Sequence, residues 1–205
     1  MTAPQIENGM ARVEAAGAYL AARDQPAAHA GTARVLGLKG LIVPDRAALC
    51  QVETTGAAYF ARAEAPFLTL LTALPDESLC VVATKLLVAP FASRVKGRAL
   101  KLVPMSFARA LAVTELRGGW AALATKSRVT RVAVAEGDTL TVRPEALVAW
   151  CGAAPTTFCP RLGLLDILLP RGPRGLAFSV HGPATVWFEG AALPPRRRGA
   201  YGVRA

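Results

Sequence analysis

The chain has 205 residues, 53% of them hydrophobic and 19% charged, with a formal net charge of +10 at neutral pH. That length suits one large domain or two small ones and buries about 70% of the unfolded surface, so a stable core needs neither disulfides nor a structural metal. The hydrophobic content excludes low-hydrophobicity disorder for the bulk of the chain, and no apolar run reaches the roughly 18 uncharged residues of a spanning helix.

Taken in chain order, Ile6, Met10, Val13, Gly17 and Leu20 fall at helical spacing, which predicts a short N-terminal helix ending before Pro26, within an arm over residues 1–30. The same stretch carries Glu7 and Glu14 and no basic segment leading into an apolar one. It therefore reads as neither a secretory signal nor a transit peptide, and the expected location is the cytoplasm. From Thr32 onward the texture changes to short runs of Val, Leu, Thr and Ala, broken about every 8 to 12 residues by Gly, Pro or Asp. This predicts an all-β protein of sandwich type. Residues 104–113 fit either a turn of helix or a strand.

The four cysteines form no C-x2-C pair, and the chain has only two histidines, His29 and His181. Neither a metal site nor a cofactor is expected from this. Cys50 and Cys80 lie in apolar alternating stretches and read as reduced core thiols. Cys151 and Cys159 flank a loop around Pro155, and the sequence leaves their reactivity open.

Self-similarity is present at a period of about 60 residues. Residues 77–89 match 138–149, with Leu79 over Leu140, Val81 over Val142 and the Leu-Val-Ala of 87–89 over that of 147–149. Upstream, Tyr59 falls over Trp120, Ala63 over Ala124 and Thr69 over Thr130. A glycine after an extended run recurs at Gly56, Gly118 and Gly182. The expectation is one β domain over 31–192 with three sandwich repeats, near 31–92, 93–152 and 153–192, followed by a flexible basic tail over 193–205. Packed about a pseudo-threefold axis, such repeats would bury apolar faces that each alone leaves open.

Residues 128–150 (RVTRVAVAEGDTLTVRPEALVAW) run an alternating strand into Gly-Asp, then Leu-x-Val, then Leu-Val-Ala. This resembles the signature of the altered inheritance of mitochondria protein 24 family. The stretch HGPATVWF over 181–188 is similar to that family's closing Gly-Pro-Gly-x-Val turn, with Ala184 where a glycine is usual. The resemblance spans roughly residues 32–190. It implies three decorated β-sandwich repeats in a trimeric arrangement, each akin to the subunit of the tryptophan RNA-binding attenuator protein. It implies no catalytic residues.

The motifs for chemistry are sparse. Glu136 and Asp138 in AEGDTL read as a turn, with Gly137 supplying a positive φ, rather than as an acid/base pair. Ser179 and His181 can share a strand face, but no nucleophile elbow accompanies them. No phosphate-binding glycine loop is present, and no enzyme is expected. The charge is uneven: residues 1–90 hold 7 Lys/Arg against 8 Asp/Glu, whereas 91–205 hold 17 against 6. Arg94, Lys96 and Arg98 alternate, so on a strand they share one face. Lys126 and Arg128 form a second basic group, and Arg196, Arg197 and Arg198 lie in the tail. These eight are the candidate anion-binding positions. The reading is a cytoplasmic, non-enzymatic scaffold or binding module acting on a protein partner or on itself. The alternative is RNA or single-strand binding through the basic half, and the same cations suit an anionic membrane surface.

Overall fold

A computed structural model describes residues 2–22, 26–37, 49–91, 96–103, 106–158 and 177–190. Among these residues the regular structure is seventeen β-strands and one 3-10 turn, η1 (Ala83–Lys85). The protein is all-β, and no helix among the described residues is long and apolar enough to cross a membrane. The chain divides into two compact units, Met1–Val129 and Thr130–Ala205.

The N-terminal helix is not formed. Residues 5–22 are instead β1 (Gln5–Glu7), β2 (Met10–Val13) and β3 (Gly17–Ala22). The register Glu7↔Met10 leaves a two-residue loop, and Asn8 and Gly9 sit at φ 49° and 73°. Asn-Gly adopts such left-handed pairs readily, and the resulting twist matches that of the flanking strands. Beyond the loop, Ala11 and Val13 are buried while Met10 and Arg12 are not. Period two therefore overrides the helical spacing, and Ile6, on the expected helical stripe, is 42% exposed.

Unit 1 builds two sheets. The first has the order β1-β2-β7-β4, using β4 (Ala28–His29) and β7 (Ala58–Phe60). The second has the order β8-β11-β9-β3-β6-β5, with β10 on the side of β11. Its strands are β5 (Ala33–Gly37), β6 (Leu49–Thr54), β8 (Phe67–Val82), β9 (Leu86–Pro90), β10 (Lys96–Val103) and β11 (Ser106–Thr125). Residues 106–113, which the sequence left open, are strand. Alternation on β6 buries Cys50, Val52 and Thr54. Cys50 and Val52 pack with Tyr19, Leu87, Val88 and Trp120 of the same sheet against Ala11, Val13 and Phe60 of the first, a sandwich-like core. The Tyr19 hydroxyl donates to the Ala15 carbonyl at 2.6 Å, and burial raises the phenol above its ordinary pKa. Cys50 and Cys80 are buried and in no disulfide.

Unit 2 has two three-stranded sets. One joins β12 (Val129–Val134), β17 (Ala184–Glu189) and β14 (Leu147–Gly152); the other joins β13 (Thr139–Val142), β16 (Ala177–His181) and β15 (Thr156–Phe158). Leu140, Val142, Phe178 and Val180 alternate inward, and residues 147–150 are buried throughout.

Two regions of the chain pair their strands alike. In unit 1, residues 79–82 of β8 pair with 113–116 of β11, Leu79 opposite Leu116 and two residues before Gly118. After the glycines, Ala122 and Leu123 of β11 pair with Val88 and Leu86 of β9. In unit 2, β13 pairs with β16, Leu140 opposite Val180 and two residues before Gly182, and β14 pairs with β17 beyond it. Around Gly56 the order is reversed: β6, before the glycine, pairs with β3, and β7, after it, pairs with β2.

Candidate functional site

Arg94, Arg196, Arg197 and Arg198 lie outside the described residues, as do Cys159 and the tail over 193–205. Lys96 and Arg98 stand on β10 opposite Glu115 and Val113 of β11. In this backbone register an acid stands opposite the first residue of the basic strand. Glu115 is only 8% exposed, accepts from the Ser78 hydroxyl at 2.7 Å, and lies 3.5 Å from the Arg117 Nε. Lys126 and Arg128 are exposed in the connection between β11 and β12. That connection is held by Thr125, whose hydroxyl lies 2.8 Å from the Ser127 carbonyl and 3.2 Å from that of Phe67. Lys96 and Arg98 border the first half of β11 and Lys126 and Arg128 follow its last residue, so the strand separates the two groups. Arg131 lies 5.8 Å from the centre of the Trp187 ring, a cation over an indole face.

The turn residues divide by what they require. Gly137 sits at φ 83° and the Asp138 amide donates to the Ala135 carbonyl at 3.0 Å, closing a four-residue turn. The strands it joins, β12 and β13, enter different sheets and do not pair as a hairpin. Gly182 donates its amide to the Asp138 carbonyl at 3.1 Å, and a Cβ there would fall 1.8 Å from the Ala135 carbonyl oxygen. Gly56 is confined in the same way by the Ala30 carbonyl, at 2.5 Å from a Cβ. Gly118 and Gly119, at φ 68° and 87°, form the irregularity in the β8–β11 ladder.

Ser179 and His181 share a face of β16 with Thr139 and Thr141 of β13 and Thr156 of β15. The Thr139 hydroxyl lies 3.0 Å from Nδ1 of His181 and the Thr156 hydroxyl 3.5 Å from Nε2. Each ring nitrogen thus faces a hydroxyl, so the imidazole is arranged as a strand-end hydrogen-bonding group, and no carboxylate among the described residues orients it. Among the described residues no group of three or more His, Cys, Asp and Glu side chains is placed to hold a metal.

A surface that sequence reading missed is the outer edge of β5, the last strand of its sheet among the described residues. Its inner edge pairs with β6, Val35 opposite Val52, while Arg34 is exposed and Val35 is 50% exposed. An edge strand presents a row of backbone donors and acceptors to any partner strand. The alternating run was visible; its place at the end of a sheet depends on the order of distant strands.

No family model and no curated protein matches this sequence. The fold is similar to the crystal structure of protein SPYM3_0169 from Streptococcus pyogenes, with a TM-score of 0.67, 12% identity, and coverage of 89% of this chain and 88% of that one. At that identity the likeness concerns the fold.

Proposed function

We propose that the protein is a non-enzymatic binding module of the cytoplasm that acts as a scaffold by associating with a second copy of itself. In this reading it is built from three sandwich repeats in a pseudo-threefold arrangement, like the altered inheritance of mitochondria protein 24 family. Support for the repeats comes from the shared pairing around Gly118 and Gly182. The observation that carries the function is the outer edge of β5. Val35 is the middle residue of this five-residue strand, so two copies of the edge can pair antiparallel about a twofold axis, Val35 beside Val35. Sedimentation velocity over a concentration series tests this. The wild-type chain is expected to associate reversibly, and Val35→Lys, which sets like charges side by side, to sediment as a 21.4 kDa monomer. A wild-type chain that stays monomeric, or a variant that associates equally well, contradicts the reading.

A second reading rests on the exposure of Lys126 and Arg128 beside β11. Contacts of these cations with a phosphate backbone would give affinity for single-stranded RNA that falls steeply with salt, and a Lys126→Ala/Arg128→Ala variant would flatten that slope by about two phosphate equivalents. An unchanged slope removes these residues from consideration.

A further inference from the structure

Unit 2 contains a cavity of about 310 Å³ between β13, the β13–β14 turn and the end of β17. Its walls are Leu140, Val142, Ala146 and Phe188, with Arg143 and Glu189 supplying the charge. We propose that this cavity binds a small apolar monocarboxylate, an alkanoate of medium chain length. The inference is independent of the β5 edge, which belongs to unit 1.

Leu140, Val142 and Phe188 are each 5% exposed or less and still border open volume. An alkyl chain seated there removes its own apolar surface from water without reorganising the walls. At roughly 30 Å³ per water-sized group the space admits on the order of ten non-hydrogen atoms, the size of an eight-carbon acid. The turn is already built. The Arg143 carbonyl accepts from the amides of Ala146 and Leu147 at 3.0 and 3.1 Å, and Pro144 restrains the Arg143 backbone to extended conformations. The Glu189 amide donates to the Ala146 carbonyl at 2.8 Å, fixing the opposite wall against the turn.

The Arg143 side chain is exposed and forms no ion pair among the described residues. Its planar fork of N–H donors matches a carboxylate bidentately. The exposed Glu145, two residues beyond Arg143, adds negative charge beside the turn and disfavours a second charge on the ligand, so a monoanion is preferred over phosphate or a dicarboxylate.

Titration of the full chain with octanoate, octylamine and inorganic phosphate, followed by amide NMR, tests the proposal. Octanoate is expected to give saturable shifts confined to residues 140–146 and 188–190, with none from octylamine or phosphate. Arg143→Gln is expected to weaken octanoate about ten-fold, the scale of one charge-assisted hydrogen bond, while amides elsewhere in unit 2 keep their positions and so report an intact fold. Lack of saturation with octanoate, equal binding of octylamine, shifts produced by phosphate, or undiminished binding by Arg143→Gln each overturns it.

Discussion

The crossing at Gly118–Gly119 and the crossing at Gly182–Pro183 solve one problem in two ways. Both lie two residues beyond a buried aliphatic pair, Leu79–Leu116 in unit 1 and Leu140–Val180 in unit 2. In unit 1, two left-handed glycines let β11 continue as a single strand of 20 residues. The register shift is accommodated in β8, where residues 74–77 fall outside the ladder and include Pro75, which has no N–H to give. In unit 2, Pro183 itself interrupts the chain, so β16 ends at His181, β17 starts at Ala184, and the two enter different sheets. Gly118 and Gly119 are needed for their φ angles, whereas Gly182 is needed because a carbonyl occupies the place of a side chain. Glycines at similar places in two similarly paired regions can therefore serve unrelated physical needs.

Substitutions separate those reasons, and the three tryptophans report by unit: Trp120 for unit 1, Trp150 and Trp187 for unit 2. Gly182→Ala carries the largest expected effect. Its Cβ would meet the Ala135 carbonyl oxygen at 1.8 Å, and backbone cannot move aside cheaply, so a loss of roughly 3 kcal/mol or more is expected in chemical denaturation of unit 2. Gly118→Val places a β-branched residue at φ 68° and is expected to cost about 1–3 kcal/mol, read from Trp120. Gly137→Ala isolates the conformational cost, since φ is 83° and a Cβ there has nothing within 4 Å; about 1 kcal/mol is expected. If Gly182→Ala proves as mild as Gly137→Ala, crowding is not what sets the unit 2 crossing.

The smallest effect is one of pH. Tyr19 has a folded pKa above the ordinary 10.0 because burial disfavours the phenolate. Its contribution is intact below pH 10, where both states are protonated, and is lost as pH rises toward the folded value, because the unfolded chain ionises first. Unit 1 should weaken in that window, and Tyr19→Phe should remove this part of the dependence, as measured by Trp120 fluorescence in urea at a series of pH values.

Much of the comparison was legible in the sequence. The match of Leu79 with Leu140 and Val81 with Val142 marks positions that occupy equivalent pairings, and the texture after Thr32 identified the all-β class, though not strands as long as the 16 and 20 residues of β8 and β11. The N-terminus was misread because Ala-rich strands with Met10, Val13, Gly17 and Leu20 also satisfy a helical period. The competing signal, Asn8-Gly9 between short runs, was the more specific one. Strand order was not legible, since it depends on pairings as distant as Leu68 with Ala124. For that reason neither the exposed edge of β5 nor the acid opposite Lys96 could be found from local pattern. The cavity beside Arg143 was hidden for the same reason: its walls come from residues 140–146 and 188–190.

The most direct test of the shared pairing is a set of cross-strand nuclear Overhauser contacts in the folded chain. Backbone contacts between Leu79 and Leu116 and between Leu140 and Val180, each two residues before its glycine, are the predicted result, together with contacts across β9–β11 and β14–β17 beyond it. A register displaced by one residue in either unit, or contacts present in one unit and missing in the other, would contradict the account.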